Sequence, residues 1–287
     1  MKNIAFIVHS VAGTKTKNRI AKLIRELLDK EQFSPTVVAT EYLGHATQLA
    51  HHFALEGYYA VVAVGDDEIV NEVANGLRNS NTALGVVPNG ENNTFARHLD
   101  ISTRMNRAIE MLNTSEVINI DYCTINNRAF FSACNIGFDT IVSNNSNNIK
   151  DYAEEISKEL IQHKSGTYLL KLNDVSIKTS AFFITFANAN QWGNDTSFAP
   201  KASMQDGWID IAIVNEVPII ENLACQSFTK NINENLYVHT IREKELIIVQ
   251  EKEQSSIYID GSSTKIEKEL IIRLVEDGLK VLVKKRF

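Results

Sequence analysis

Two segments carry residue types that can handle phosphate or a cation. In the first, VGDDEIVNEVANGL, Gly65 follows an apolar run and is itself followed by Asp66, Asp67 and Glu68 as a helical pattern begins. Amides at a helix start attract phosphate, and a glycine lets the anion come close to the backbone. The plainer reading is that Asp67 caps the helix while Asp66 and Glu68 favour its positive end. The second segment, VPNGENNTFAR from Val87 to Arg97, also leaves an apolar run through a polar turn and leads towards a helix. Arg97 there can reach a phosphate or pair with Asp100 three residues on. Two polar turns at the same edge of a sheet would form a cleft.

Other candidates read more simply. Asp260-Gly261 between SIYI and the next strand is a hairpin turn. The seven histidines show no paired metal spacing, and His51 and His52 share the wet side of a helix. The three cysteines form no C-x-x-C pair and sit in apolar segments, so neither disulfides nor zinc are expected. Gly-x-Ser-x-Gly, the P-loop and Gly-x-Gly-x-x-Gly are all missing, which argues against hydrolase, P-loop and dinucleotide readings.

Composition narrows the partners. The net charge of −6 supplies no general attraction for polyanions, so nucleic acid is not expected. No apolar stretch approaches the roughly 20 residues of a membrane span, and MKNIAFIVHS is too short an apolar start for a signal peptide. A cytoplasmic globular protein is expected.

The elements that must position the two turns alternate. IAFIV is a strand run, and Ile20, Leu23, Ile24, Leu27 and Leu28 then recur at helical spacing. TVVAT, AVVAV and ALGVV repeat the strand signal, separated by helical stripes over Ala46–Ala54 and Val70–Leu77. Continuous apolar strands between helices imply a parallel sheet covered on both faces, with ligands beyond the carboxyl ends of its strands. After about Ile120 strand candidates follow one another: RAFFSA, AFFITFA, WIDIAIV, ELIIVQ, SIYID and ELIIRLV. A helix-rich insert is expected over Lys150 to Leu172, another helix over Pro218 to Phe228, and an exposed loop at NNSNN. The expected division is an α/β domain over residues 1–125, which 276–287 can complete, and an antiparallel β-sandwich domain over 126–275.

The ordered motifs resemble the diacylglycerol kinase catalytic-domain family. VGDDEIVNEVANGL is similar to the family's Gly-Gly-Asp-Gly-Thr and Asn-Glu segment, and PNGENNTFARHLDI to its Pro-x-Gly-Thr-x-Asn-Asp-Phe-Ala-Arg segment. Thr40 with Gly44-His45-Ala46, then Asn135 to Asp139, resemble its Thr/Gly-His-Ala and Gly-Phe-Asp segments. APKASMQDGWID, ending at Asp210, resembles Ala-Pro-x-Ala-x-x-x-Asp-Gly-x-Leu-Asp. The resemblance implies a Rossmann-like, NAD kinase-like nucleotide domain, a C-terminal β-sandwich, and transfer of the ATP γ-phosphate to a lipid hydroxyl such as that of diacylglycerol, with magnesium. It implies that Thr40, Gly65, Asp66, Asp67, Glu68, Ile69, Val70, Asn71 and Glu91 face ATP, with Asp67 organising phosphates and metal. By the same resemblance, Ser203, Asp206 and Trp208 hold a structural Mg2+, an oxygen-rich set that suits it. Peripheral contact with a membrane and a homodimer are compatible with such a protein.

The departures fall on the chemistry. Asp66 and Glu68 stand at the family's second and third glycines, Ile69 at its threonine and Glu91 at the threonine of the second turn. A carboxylate about 5 Å from one phosphate charge costs about 3 kcal/mol at an effective dielectric of about 20, unless a bridging cation reverses the sign. Ser262 occupies the place of the family's general-base glutamate, leaving Asp260 as the nearest carboxylate. Losing such a base commonly costs about 10²- to 10⁴-fold in rate. The expectations are therefore an ATP-dependent lipid kinase with altered phosphate loops, a catalytically silent relative that binds lipid or nucleotide, or, more remotely, an NAD kinase-like activity.

Overall fold

The computed structural model describes residues 1–9, 13–90, 93–137, 165–173, 175–190, 199–215, 238–251, 256–265 and 267–285. The chain divides into two compact units, one of 1–122, 204–206 and 275–287 and the other of 123–203 and 207–274.

The first unit is α/β. Its elements are β1 (Lys2–Val8), α1 (Gly13–Leu27), β2 (Phe33–Ala39), α2 (His45–Leu55), β3 (Ala60–Gly65), α3 (Asp67–Leu77), β4 (Ala83–Pro88), α4 (Thr94–His98) and α5 (Met105–Leu112). The strands run parallel in the order β2-β1-β3-β4. β3 and β4 are buried along their whole length, as the unbroken apolar runs require of a sheet covered on both faces. The first crossover runs one way from β1 and the next two run back. With right-handed connections this puts α1 on one face and α2 and α3 on the other. The contacts agree, since α2 packs on α3 while α1 packs on α5. The strand order reverses at β1 and β3, so the crevice expected of such a sheet opens at His9 and Asp66.

The second unit is an antiparallel sandwich. Its strands are the end of β5 (Ser115–Ile125), β6 (Arg128–Phe130), β7 (Ala133–Gly137), β8 (Gly166–Leu172), β9 (Val175–Ala181), β10 (Phe183–Ala187), β11 (Ile209–Val214), β12 (Val238–Glu243), β13 (Glu245–Gln250), β14 (Ser256–Ile259), β15 (Ser262–Lys265) and the start of β16 (Glu269–Lys284). One sheet has the order β12-β11-β10-β7-β14-β15, and β16, β13, β8 and β9 form the other layer. Every second side chain points between the layers. Ile136, Ile184, Phe186, Ile211 and Ile257 from the first thus meet Leu170, Leu246, Ile248, Leu270 and Ile272 from the second. Each such side chain, fully buried, contributes about 1.5–3 kcal/mol. β16 joins ELIIRLV and KVLVKK in one strand, and at its far end Val281 pairs with Leu84 of β4.

Some expectations change. Gly166–Leu172 is a strand, not the end of a helix-rich insert, because Tyr168, Leu170 and Leu172 alternate inward. RAFFSA breaks into β6 and β7 around Phe131 and Ser132. Residues 150–164, Pro218 to Phe228 and Asn144 to Asn148 lie outside the described residues, as do Trp192 and Cys225. Cys123 and Cys134 are buried thiols, and burial pushes the Cys134 thiol well above its usual value, with Asp260 adding to the effect.

Candidate functional site

The two polar turns do meet. Gly65 and Pro88 are parallel partners at the ends of β3 and β4, and the Asn89 amide donates to the Gly65 carbonyl at 2.7 Å. Thr40, 4 % exposed just beyond β2, donates its amide to the Val8 carbonyl. The His9 amide donates to Val64. Residues from the carboxyl ends of all four parallel strands therefore border one edge of this unit.

What the carboxylates do there differs from the simple capping reading. Asp66, not Asp67, is the N-cap of α3: its backbone is extended, and its Oδ1 accepts from the Ile69 amide at 3.2 Å. Asp67 turns to α4, whose own N-cap, Asn93, makes no side-chain cap bond. Its Oδ2 and Oδ1 accept from the Thr94 and Phe95 amides at 3.0 and 3.3 Å. Glu72 does the same for α2, which begins after the uncapped Gly44: its two oxygens accept from Gly44 and Ala46 at 2.8 and 3.1 Å. Thr47 also donates its hydroxyl to the Glu72 carbonyl. Three carboxylates of one segment thus close the amino ends of three helices, satisfying donors that each helix leaves open. This accounts for much of the negative charge in the turn.

Glu68 is the exception: among the described residues it accepts no hydrogen bond. Burial, then repulsion from Asp66, pushes its carboxyl above the usual range against the pull of His9. Burial also raises Asp67, against the pull of the Thr94 and Phe95 amides.

The β-carbon positions of both glycines are crowded by neighbouring atoms. A β-carbon on Gly65 would stand 2.6 Å from Ile69 Cγ2 and 3.5 Å from His9 Cβ. Ile69 is 2 % exposed and Val70 beside it is also buried. A β-carbon on Gly90 would stand 2.7 Å from Asp66 Cβ and 2.9 Å from its Cα. Asn93, in the left-handed region with φ 50, closes the second turn by bonding both the amide and the carbonyl of Gly90. Asn71 accepts from Asn75 one turn along α3. Glu91 lies outside the described residues.

The remaining candidates lie elsewhere on the chain. Asp260 and Gly261, with φ 40 and 100, form a two-residue hairpin turn joining Ile259 to Ser262. The Asp260 carboxylate, 8 % exposed, accepts from the amides of Phe131, Ser132 and Ala133 at 2.6, 3.0 and 3.0 Å. It is an acceptor already committed to backbone, which is poor placement for taking a proton from a substrate. Ser262 donates its hydroxyl to the Ile259 carbonyl at 3.3 Å. Ser203, Asp206 and Trp208 follow one another on the turn leading into β11. Trp208 is exposed, with the Lys244 ammonium 5.5 Å from its ring centroid. Among the described residues no group of three or more His, Cys, Asp or Glu side chains gathers as a metal cluster.

Sequence reasoning missed His9, Glu72 and Asn93 as parts of the site. Only Glu72 carried a signal, through the Asn-Glu pair of the first segment. It also passed over the bond pair from Arg242 to buried Asp210, Nε to Oδ1 at 2.9 Å and Nη2 to Oδ2 at 2.8 Å. Arg242 donates as well to the Lys201 carbonyl, tying the Ala-Pro-Lys-Ala turn to β11 and β12.

Comparison with known proteins adds the following. The family model described as "Diacylglycerol kinase catalytic domain" matches residues 3–125, and that described as "YegS C-terminal NAD kinase beta sandwich-like domain" matches 132–266. A protein named diacylglycerol kinase from Staphylococcus saprophyticus subsp. saprophyticus is 25% identical over 229 residues, 77% of this chain and 75% of the relative. One of the same name from Bacillus subtilis (strain 168) is 24% identical over 280 residues, 91% and 90%. Two solved structures from Bacillus anthracis str. Sterne share the fold. One has a TM-score of 0.80 at 20% identity, over 98% of this chain and 95% of that one. The other, named a diacylglycerol kinase, has 0.75 at 20%, over 98% and 97%.

Proposed function

Because the chain belongs to the diacylglycerol kinase catalytic-domain family, we propose that it is a lipid-kinase homologue that keeps the family scaffold and does not carry out phosphoryl transfer from Mg-ATP. The family implies ATP and a divalent metal. The observation that carries the proposal is the packing of Ile69 over Gly65. It packs a branched apolar side chain against the glycine that, by the resemblance, would admit a phosphate. Asp66 against Gly90 and the half-buried Glu68 add side chain and negative charge at the same edge.

Two further features support the same reading. A hydroxyl stands at Ser262 in place of a carboxylate, and Asp260 holds three amides. The turn carrying Ser203, Asp206 and Trp208 has the hard oxygen donors that suit magnesium, so a structural cation there is compatible with a silent enzyme. The ligand class that remains is the lipid, since the relatives are named diacylglycerol kinases.

Restoring the cradle tests the proposal. In Asp66→Gly/Glu68→Gly/Ile69→Thr, the side chains over the first turn are removed, at a capping cost of a few tenths of a kcal/mol for the cap position. Binding of Mg-ATP at least about tenfold tighter than in the unaltered chain is expected. Transfer of radiolabelled phosphate from ATP to a lipid extract by the unaltered chain would overturn the proposal.

A further inference from the structure

Arg242, on β12, holds β11 and the turn before it with one side chain. Its Nε and Nη2 donate to the two oxygens of Asp210, and Nη2 donates as well to the Lys201 carbonyl at 3.3 Å. Asp210 is 2 % exposed and faces Arg242 in register across the strand pair. A guanidinium suits this task, because its rigid fork binds a carboxylate with two bonds and still offers a donor to a third acceptor. All three residues belong to the second unit.

The two ends of this strap differ. Asp210 is already fixed by its strand, which pairs with β10 on one side and β12 on the other. Lys201 is exposed and lies in the turn that precedes β11. The guanidinium therefore adds little to the course of β11, and its bond to the Lys201 carbonyl ties the turn to the sheet. It also uses both oxygens of Asp210, which makes that carboxylate a partner of Arg242 and not a cation ligand.

The segment bracketed in this way is the one that the family resemblance gives to a structural divalent cation. Lys201 stands two residues before Ser203, and Asp210 two residues after Trp208. The donor set there is the Asp206 carboxylate with backbone oxygens, which fits magnesium, an ion commonly held by one or two carboxylates. Backbone oxygens have no rotamers to adjust, so only the path of the chain can place them. We propose that Arg242 is a positioning residue for this cation, setting the path of residues 201–210 and through it the placing of the ligand oxygens. Groups that orient ligands in this way typically contribute about 10- to 100-fold in metal affinity. The role depends on the implied cation site and not on the loss of Mg-ATP transfer.

Mn2+ titration followed by electron paramagnetic resonance of the free ion, and Mg2+ titration followed by melting temperature, test it. Neither contains ATP, so the result is independent of phosphoryl transfer. The unaltered chain should bind the cation saturably and melt higher with it, and Asp206→Asn should lose both effects. Arg242→Lys keeps a charge for Asp210, but a point charge replaces the fork, so binding should weaken at least about tenfold. Because Arg242→Gln would leave a buried carboxylate unpaired, the second variant is Arg242→Leu/Asp210→Asn, which removes both charges and should show the same loss. Arg273→Gln, which breaks an exposed pair with Glu245 in the same unit, should leave cation binding unchanged. A merely structural Arg242 would lower the metal-free melting temperature and leave the cation affinity as it was. That result, or no saturable binding of either cation by the unaltered chain at millimolar concentration, or binding that survives Asp206→Asn, would overturn the proposal.

Discussion

Ile69 lies across the α-carbon of Gly65, its Cγ2 2.6 Å from where a β-carbon would stand. The contact turns a backbone surface suited to an anion into part of an apolar interior. Around it, the neighbouring carboxylates spend their lone pairs on helix ends of the same unit. The turn is thus better described as a junction joining α2, α3 and α4 than as an open cradle.

If Asp67 is a pin for α4, removing it must cost stability. Asp67→Ala leaves the Thr94 and Phe95 amides without their acceptor, for about 2–5 kcal/mol. Urea denaturation should show a lower midpoint with little change in slope. Asp67→Asn, which keeps one acceptor oxygen, should lose less. A loss under about 1 kcal/mol for the alanine variant would mean that the two bonds contribute little.

Glu68 should act in the opposite direction. Its carboxyl is raised above the usual 4.5 by burial first and by Asp66 second, so its ionised form is disfavoured in the folded state. Below 4.5 both folded and unfolded chains hold the proton, and Glu68→Gln should be neutral. As pH rises through 4.5 towards the raised folded value, the unfolded chain ionises first and the unaltered protein loses stability. At pH 7 Glu68→Gln should therefore be more stable, by under about 1 kcal/mol because the group is half in solvent. Thermal melts at pH 4 and pH 7 check this, and a gain of equal size at both would contradict it.

Asp260 separates a structural role from a chemical one. With three amides on one buried carboxylate, Asp260→Ala should cost at least about 3 kcal/mol or prevent folding, and Asp260→Asn should fall between. A group kept only as a proton acceptor for substrate would leave the denaturation curve nearly unmoved. Far-ultraviolet circular dichroism during urea titration distinguishes the two.

How much of this could be read from the residues depends on the range of the interactions involved. The unbroken apolar runs at β1, β3 and β4 specify buried parallel strands by local pattern, and Asp260-Gly261 specifies a hairpin by local backbone preference. β9 and β12 are the edges of their sheets, and Val175, Ile177, Val238 and Ile241 are at most part-buried there, so local pattern marks these strands less clearly. The break in RAFFSA is set by Asp260, more than a hundred residues away, drawing in the amides of Phe131 to Ala133. The choice between Asp66 and Asp67 as cap was a matter of one position. It is decided by α4, which recruits Asp67 across 27 residues. Local rules could find the acidic turn and its neighbour, but not what each carboxylate holds.

The central claim is that the first turn is filled. Calorimetric titration of the unaltered chain with Mg-ATP tests it most directly. No heat of binding at millimolar nucleotide is predicted. Saturable binding with a Kd below about 100 μM, weakened by Gly65→Ala, would contradict it.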